Sequence, residues 1–303
     1  MQQVERAVAD GSYPAHHLWG ADGLAAAGHA VELGFFGRRR RSLAHLSWRL
    51  GERLGDLEQE AVMLRRARRG AVIFAAEATI VRGLAALGRG SLVGIVHSGA
   101  ARWMRRLDVA LCLSSRVRDE LVALGRDAAT TPVAAWGPDL AYARYTPTGD
   151  ELVVSAGKTE RDRETLLAAL RDTGIPAKVY AATPPAHYGA ALEDLRRASM
   201  VAIPLATTDR LLGLSEINDA LALGKPIVMT RTPAIDFDPE AIGCGFTVAP
   251  RDVAGWREAL MRLAGDPELR ARLGRRGREW AEHHHNADTF RAAVVAAVDA
   301  VAR

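Results

Sequence analysis

The sequence is poor in cysteine and lysine, and it has no long apolar run. Its two cysteines, Cys112 and Cys244, stand alone within strand-like segments, which argues against a disulfide framework and fits buried thiols in a reducing compartment. No apolar run approaches the about 18 residues that a membrane-spanning helix needs, and no secretory signal pattern opens the chain. We therefore expect a cytoplasmic protein.

Positive charge is carried almost wholly by arginine, because the only lysines are Lys158, Lys178 and Lys225. The formal net charge is +4 and the pI is about 9.4. No zinc or helix-turn-helix signature accompanies this charge, and aromatic residues do not interleave the basic runs. Nucleic acid is therefore not expected as a partner.

A basic stretch near the amino terminus suggests a different partner. Residues 37–41 read Gly-Arg-Arg-Arg-Arg, leucines and a tryptophan follow among charged residues up to Leu57, and more arginines lie at 65–69. A solvated arginine-rich face is the commoner explanation of such a pattern. The alternative is docking on an anionic membrane surface by charge attraction and shallow apolar insertion.

Strand-like apolar runs alternate with helical patterns, which predicts βα repeats and parallel sheets. With 303 residues and 49% hydrophobic content, the chain can bury one large core or two ordinary ones. Turn formers at 136–149 separate two groups of predicted strands. A domain of βα repeats should open with a strong apolar strand, but residues 4–9 are too weakly apolar to form one. The first group is 30–36, 71–75, 92–97, 109–113 and 133–136, and the second is 152–156, 178–181, 200–205, 227–230 and 245–248.

The most informative stretch is 213–228, Gly-Leu-Ser-Glu-Ile-Asn-Asp-Ala-Leu-Ala-Leu-Gly-Lys-Pro-Ile-Val. It predicts a tight turn, a helix over 216–223 and a following strand, with Ser215 as the N-cap of the helix. Glu216 and Asp219 lie three residues apart and share one helix face. A helix start entered through Gly213 also suits a phosphate group. The plain alternative is a capped helix of an ordinary parallel sheet.

This stretch resembles the donor-site signature of nucleotide-sugar glycosyltransferases of the GT-B fold, close to family 4. Those enzymes carry Gly-Leu-x-x-x-x-Glu-Ala-x-Ala-x-Gly-Lys-Pro-Val-Val or a near variant. Asp219 stands where the family usually has Glu, and a second family Glu, usually eight residues earlier, falls on Leu211 and is missing. The resemblance implies that the donor is contacted by Gly213, Leu214, Ser215, Glu216 and Asp219.

A second motif, at 152–167, supports the resemblance. It is similar to the family's strand-turn-helix with Gly-Arg, Lys-Gly and Thr-Leu elements, with two residues removed from the turn. The resemblance places Lys158 and Arg161 on two cations that neutralise a leaving diphosphate. The plain alternative is a surface loop in which these cations pair with Glu160 and Glu164.

Candidates for the acceptor side lie in the first half of the chain. His97 ends the apolar run 92–97, and a polar residue at the carboxyl end of a parallel strand faces the ligand crevice of α/β proteins. Many family members have a histidine there, which implies a catalytic role for His97, and the alternative is a structural histidine. The loop 11–20 matches a family loop beside acceptor or phosphate, which implies such contacts for Ser12, His16 and His17. The alternative for both histidines is a solvated or capping position.

Two patterns that suggest a metal have simpler explanations. Asp236-Phe237-Asp238 spells the Asp-x-Asp metal motif of the other large glycosyltransferase fold, but it follows the donor stretch in a Pro-flanked loop, so we attribute it to chance. The run 283–285 contains three consecutive histidines, which point in different directions on a helix and are expected at the surface. We expect no metal site.

The resemblance as a whole implies an α/β protein with two Rossmann-like domains facing each other across a cleft, the GT-B fold. The expected parts are an acceptor domain at 1–147, a nucleotide-sugar donor domain at 148–286, and a C-terminal helix at 287–303 that packs back on the first domain.

The implied activity is that of a hexosyltransferase. It moves a sugar from a nucleoside-diphosphate sugar to a hydroxyl of a lipid, glycan or natural product, with retention of configuration and without metal or other cofactor. Several relatives that glycosylate lipids dock on anionic membranes, so peripheral association at the inner membrane face is compatible with this activity. The alternatives are a nucleotide-sugar epimerase of related fold and a non-catalytic partner that only binds nucleotide.

Overall fold

The computed structural model describes residues 2–33, 57–67, 70–88, 90–147, 149–150, 153–181 and 188–302. The chain divides into two compact units. The first comprises Met1–Asp10, Ala15–Ala135 and Asp288–Arg303, and the second comprises Gly11–Pro14 and Trp136–Ala287. Most of the basic stretch at 37–57 and the arginines at 68–69 lie outside the described residues, so the membrane-docking hypothesis stays a prediction.

A parallel three-stranded sheet forms the centre of the first unit. Its strands, in the order β1-β2-β3, are Val72–Ala75, Ser91–Val96 and Val109–Cys112. Ile73 pairs with Leu92, and Val93 pairs with Val109. Strands β2 and β3 are apolar runs because both of their faces are covered, whereas β1 alternates between buried and half-buried residues.

In its described residues, the first unit also contains six α-helices, drawn from both ends of the chain and from the part between. They are α1 (Gln2–Ala9), α2 (Ala21–Ala26), α3 (Leu57–Arg66), α4 (Arg82–Leu87), α5 (Ser115–Ala123) and, from Asp288 onward, α12 (Ala287–Asp299). Gly20, just before α2, lies so close to α12 that a Cβ there would be 2.8 Å from Val294 Cγ2. Arg291 of α12 adds an ion pair of 2.7 Å to Asp22. The last helix is therefore packed against the entry to α2.

The second unit is built on a five-stranded parallel sheet in the order β5-β4-β6-β7-β8. The strands are β4 (Val153–Ser155), β5 (Ala177–Val179), β6 (Met200–Ile203), β7 (Ile227–Thr230) and β8 (Gly245–Val248). The helices are α6 (Arg163–Leu170), α7 (Tyr188–Arg197), α8 (Leu214–Leu223), α9 (Pro239–Ile242), α10 (Val253–Gly265) and α11 (Pro267–His284).

Successive residues of the central strands enter two different cores, as the period of a β-strand requires. Val201 and Ile203 pack in one core with helices α7 and α8, whereas Met200 and Ala202 pack in the other with α6 and α10. The sheet is thus covered by helices on both faces, and the carboxyl ends of its strands share one edge.

Several strand predictions fail at the edges of the sheets. The described part of the predicted strand 30–36 forms no strand, and the segment 133–136 makes only one isolated bridge, between Val133 and Cys112. Residues 4–9 lie in helix α1. Within the described residues, no helix has the length and apolar character needed to cross a membrane.

Candidate functional site

Helix α8, which carries most of the predicted donor contacts, is preceded by a glycine. Gly213 is its N-cap with φ of 93°, no side chain caps the helix, and the exposed Ser215 lies inside the first turn. The prediction that Ser215 is the N-cap is therefore wrong. A Cβ on Gly213 would lie 3.1 Å from Ile203 Cγ2, and its left-handed backbone favours glycine, so packing against β6 sets where the helix begins.

Glu216, in the first turn of α8, is buried and faces the loop that follows β4. Its carboxylate accepts hydrogen bonds from the amides of Gly157 at 2.6 Å and Ala156 at 3.1 Å. It also forms an ion pair with Arg161, whose Nε lies 2.9 Å from Oε2. Glu216 thus ties the start of α8 to the end of β4.

Arg161 is as buried as its partner, since each side chain of the pair is only 6% exposed. The Arg161 Nη1 donates to the carbonyl of Thr159 at 2.5 Å. The surface-loop alternative, in which Arg161 pairs with Glu160 and Glu164, is wrong: Glu160 pairs instead with Arg210. Contact between Arg161 and a diphosphate would require the guanidinium to leave Glu216.

Gly157 and the neighbouring Lys158 complete the loop after β4. A Cβ on Gly157 would collide with both Arg161 and Glu216, so only glycine fits between them. Lys158 is exposed. Arg163, at the start of α6, donates to the carbonyls of Gly157 at 2.8 Å and Tyr180 at 2.6 Å and so fixes the loop from the other side.

Asp219 lies one turn further along α8 and is also buried. Its Oδ1 accepts a hydrogen bond of 2.8 Å from the Tyr188 hydroxyl. Burial is the main cause that raises the pKa of Asp219 to about 7, with the Tyr188 hydrogen bond opposing the shift and the Glu216 charge adding to it. The Tyr188 ring packs on Tyr13 at 4.7 Å between centroids. The carboxylate that the resemblance places against the donor is thus bonded to a tyrosine here.

Ser12 belongs to the second unit, in the segment 11–14 that also carries Tyr13. Its carbonyl accepts a hydrogen bond of 2.9 Å from the Tyr142 hydroxyl. This part of the loop predicted to contact the acceptor therefore lies in the unit that carries Glu216 and Asp219, whereas His16 and His17 belong to the first unit.

The far side of α8 is joined to α11 by buried polar groups. Asn218 donates to the carbonyl of Trp136 at 3.0 Å and bonds Nε2 of His285 at 3.1 Å. His285 is buried and stacks on Trp280, and burial lowers its pKa to about 4. The surface prediction is therefore wrong for His285, because the chain leaves the helix there and turns the ring inward. His283 and His284 are exposed as expected.

His97 follows β2 in the first unit, where the sequence places it. Its Nε2 lies 2.8 Å from the Ala76 carbonyl and 3.7 Å from a Glu77 oxygen, and its ring packs on Trp19 at 4.7 Å. The side chain is 28% exposed. With Nε2 donating to Ala76, Nδ1 is the ring nitrogen left to bond a hydroxyl.

His16 and His17 lie in a short 3₁₀ helix, Ala15–Leu18, with their rings 4.4 Å apart. His16 is buried, so the solvated alternative is wrong for it. Burial is the main cause that lowers the pKa of His16 to about 2 and that of His17 to about 4. Both are therefore neutral near pH 7 and suited to hydrogen bonding with neutral groups.

No metal centre emerges from the described ranges, since they contain no group of three or more histidine, cysteine, aspartate or glutamate side chains that could hold an ion. In the Asp-x-Asp sequence, Asp238 accepts from the Glu240 amide at 2.9 Å and caps α9, whereas Phe237 is buried in the core. Asp238 therefore has a structural role as a helix cap, and the attribution of the motif to chance stays a prediction.

Sequence reasoning missed four residues that shape the site. Tyr188 and His285 bond residues 31 and 67 positions away, and Arg163 bonds backbone carbonyls that any residue could offer, so no local sequence pattern predicts these contacts. Lys225 is fully buried, donates to the Arg196 carbonyl at 2.9 Å, and has its pKa lowered by burial to about 8. Its presence in the Gly-Lys-Pro stop, in a chain with three lysines, was the one available signal.

Solved structures match the chain in fold, although no protein-family model and no curated protein sequence matches it. HepE from Anabaena, in complex with UDP and glucose, has a TM-score of 0.65 at 12% identity and covers 80% of this chain and 81% of its own. Sucrose-phosphate synthase from Thermosynechococcus elongatus has a TM-score of 0.65 at 16% identity, covering 88% of this chain and 80% of its own.

A longer neighbour is a TarM mutant from S. aureus, in complex with fondaparinux, α-GlcNAc-glycerol and UDP. Its TM-score is 0.53 at 12% identity, over 69% of this chain and 51% of its own, so this chain spans about half of TarM. These structural neighbours are GT-B glycosyltransferases. The predicted fold class, α/β with two Rossmann-like units of the GT-B type, is therefore confirmed.

Proposed function

We propose that this chain is a glycosyltransferase that moves a sugar, expected to be a hexose, from a nucleoside-diphosphate sugar to an acceptor hydroxyl. One observation carries the proposal: the glycine-entered start of α8 is tied by Glu216 to the loop after β4 at the carboxyl edge of the sheet. Ligands of open α/β sheets bind at this edge. The fold supports it, because HepE, which shares the fold, was solved with UDP and glucose.

The second unit would hold the donor. The backbone amides from Gly213 to Glu216, at the positive end of the α8 dipole, would face the diphosphate, and Lys158 would add a cation. In this arrangement Arg161 acts through Glu216 as a positioning residue. Asp219 would reach the ribose after giving up, or while sharing, the Tyr188 hydrogen bond.

The first unit would take the acceptor. His97 Nδ1 would orient the sugar or the attacking hydroxyl, and the neutral His16 and His17 would line that side. We propose same-face displacement with retention of configuration, because Lys158 and the start of α8 would stabilise a leaving diphosphate. The two carboxylates of the site, Glu216 and Asp219, are engaged by protein groups and are not assigned as nucleophiles. We also propose that no metal is needed, since Lys158 and the helix amides supply the positive charge.

A second candidate, a nucleotide-binding partner without catalysis, is favoured by one specific observation. Glu216 is engaged with Arg161 and two amides, and Asp219 is bonded to Tyr188, so protein groups already occupy the carboxylates that the family turns to the donor. The two candidates differ in whether donor is consumed.

The deciding experiment is incubation with a panel of nucleotide sugars, read by mass spectrometry with and without cell extract. A glycosyltransferase consumes donor only when extract supplies an acceptor and yields a glycosylated product. An epimerase releases free sugar product without any acceptor. Nucleotide binding with no turnover in either arm would support the non-catalytic partner.

A further inference from the structure

A separate pocket lies in the second unit at the carboxyl end of β7. Its volume is about 360 Å³, and residues that line it include Arg231, Thr232, Asp236, Phe237, Thr247 and Trp280. None of residues 157–161 or 213–219 lines it. Pockets for small ligands hold about 300–1,000 Å³ and gather at this edge of α/β sheets. The pocket is therefore of the size and in the place for one small ligand.

One wall of the pocket is aromatic and rigid. Trp280 is half-buried and packs on Phe237 at 5.6 Å between ring centroids. Its indole also stacks on the buried His285 at 5.2 Å. A tryptophan fixed by two neighbours presents apolar surface without losing further side-chain entropy on binding. Such a surface suits the C–H face of a pyranose ring.

The polar side of the pocket carries a cation. Arg231 directly follows β7, and its backbone amide donates to Val248 at 2.7 Å. Its guanidinium is exposed and makes no hydrogen bond or ion pair with any residue that the structure describes. Guanidinium groups bind carboxylates and phosphates through paired hydrogen bonds. Asp236 adds a carboxylate that can accept from sugar hydroxyls.

We propose that this pocket is a second saccharide site, which binds a pyranose carrying a carboxylate or phosphate group. The sugar ring lies on Trp280, the anionic group pairs with Arg231, and Asp236 accepts from a hydroxyl. A neutral sugar lacks the pairing with Arg231, and a bare anion lacks the ring contact. The proposal goes beyond the transfer reaction and does not depend on it, because binding here requires no nucleotide.

The test is titration of the nucleotide-free protein with glucuronate, glucose 6-phosphate, glucose and inorganic phosphate, followed by ligand-observed NMR. We expect at least one of the two anionic sugars to bind about tenfold more tightly than glucose and than phosphate, the least that a hydrogen bond to a charged group provides. Whichever anionic sugar binds more tightly identifies the anionic group. The proposal would be overturned if inorganic phosphate bound as tightly as both anionic sugars, or if neither anionic sugar bound.

Variants assign the site. Arg231→Ala should remove the tenfold preference for the anionic sugar, whereas Arg272→Ala, an exposed arginine on α11, should leave it intact. Trp280→Leu should weaken the binding of both charged and neutral sugars. Trp280→Phe is the variant to use if the leucine variant misfolds, because it keeps an aromatic ring between Phe237 and His285. An unchanged preference in Arg231→Ala would refute the assignment.

Discussion

At the scale of single residues, the Glu216 carboxylate does the most to shape the candidate site. It joins the start of α8 to the amide of Gly157, which lies 59 residues away in sequence. A buried ion pair is weak evidence for stability as a whole, because both charges lose their hydration. Removing one partner is different, since the other charge is left buried without compensation. The pair with Arg161 can therefore be tested by changing one side only.

Glu216→Gln should destabilise the fold by about 3–5 kcal/mol, the usual cost of an uncompensated buried charge. Glutamine keeps the size of the side chain and can still accept from the amides, so the loss reports mainly on Arg161. Urea unfolding measures it, and Glu258→Gln, at an exposed position on α10, is the control with an expected change within about 0.5 kcal/mol. A loss below about 1 kcal/mol would match an exposed pair and contradict the buried geometry.

Asp219 makes stability depend on pH with a definite sign. Its pKa of about 7 in the folded protein lies above its ordinary value of 3.8. Between these two pH values the folded protein keeps a proton that the unfolded chain has lost, so the free energy of unfolding falls as pH rises through 7. The full effect is about 4 kcal/mol at most, from roughly three pKa units. Asp219→Asn removes it.

The measurement is urea unfolding of wild type and of Asp219→Asn at about pH 4.5 and pH 8. The free energy of unfolding of the variant, relative to that of the wild type, should be higher at pH 8 than at pH 4.5. The lowered pKa values of His16, His17 and His285 act in the opposite direction, because these rings resist protonation in the folded state as pH falls. Since both proteins keep the three histidines, the contribution of these histidines cancels in the difference between the two free energies of unfolding. A gap that does not change with pH would show that Asp219 titrates normally.

At the scale of elements, the start of α8 depends on the backbone of Gly213. Gly213→Ala should cost about 1–2 kcal/mol, because alanine resists the left-handed conformation and meets Ile203. Gly265→Ala, at the end of α10, has open space around its Cβ and should be neutral or stabilising by up to about 1 kcal/mol. Ser215→Ala should change stability by less than about 0.5 kcal/mol, since no cap is lost. Thermal unfolding checks all three, and a cost at Ser215 equal to that at Gly213 would restore the serine as the cap.

The elements that the sequence predicted well are those with continuous apolar runs. Strands β7 and β8 have the predicted bounds, and β7 is buried at every position, which leaves a clear apolar pattern in the sequence. The start of α8 was missed because contact with Ile203 decides it. The pairs Glu216–Arg161 and Tyr188–Asp219 could not be predicted, since each joins residues that only the fold brings together.

At the scale of the whole molecule, the proposed division of roles between the units leads to separable effects. Nucleoside diphosphates should bind with EDTA present, at micromolar to millimolar affinity, and at a concentration of about 100 Kd should stabilise the protein by about 2.7 kcal/mol. Asp219→Ala should weaken this binding by about 1–3 kcal/mol, and Glu258→Ala should not. Calorimetry decides, because a strict need for metal would rule out the metal-free mechanism, whereas undiminished affinity in Asp219→Ala would favour the non-catalytic partner.

His97 lies in the other unit and should affect turnover alone. His97→Ala should lower kcat about tenfold or more, the lower range for a group that positions a reacting hydroxyl, while nucleoside diphosphate affinity stays the same. The matched control is His284→Ala, an exposed histidine of the second unit, which should leave both quantities unchanged. His97 also bonds Ala76 and packs on Trp19, so unfolding of the variant must be measured alongside its rate. Normal turnover in a folded His97→Ala would assign this histidine to the structure of the first unit, and loss of nucleotide affinity would contradict the division of roles itself.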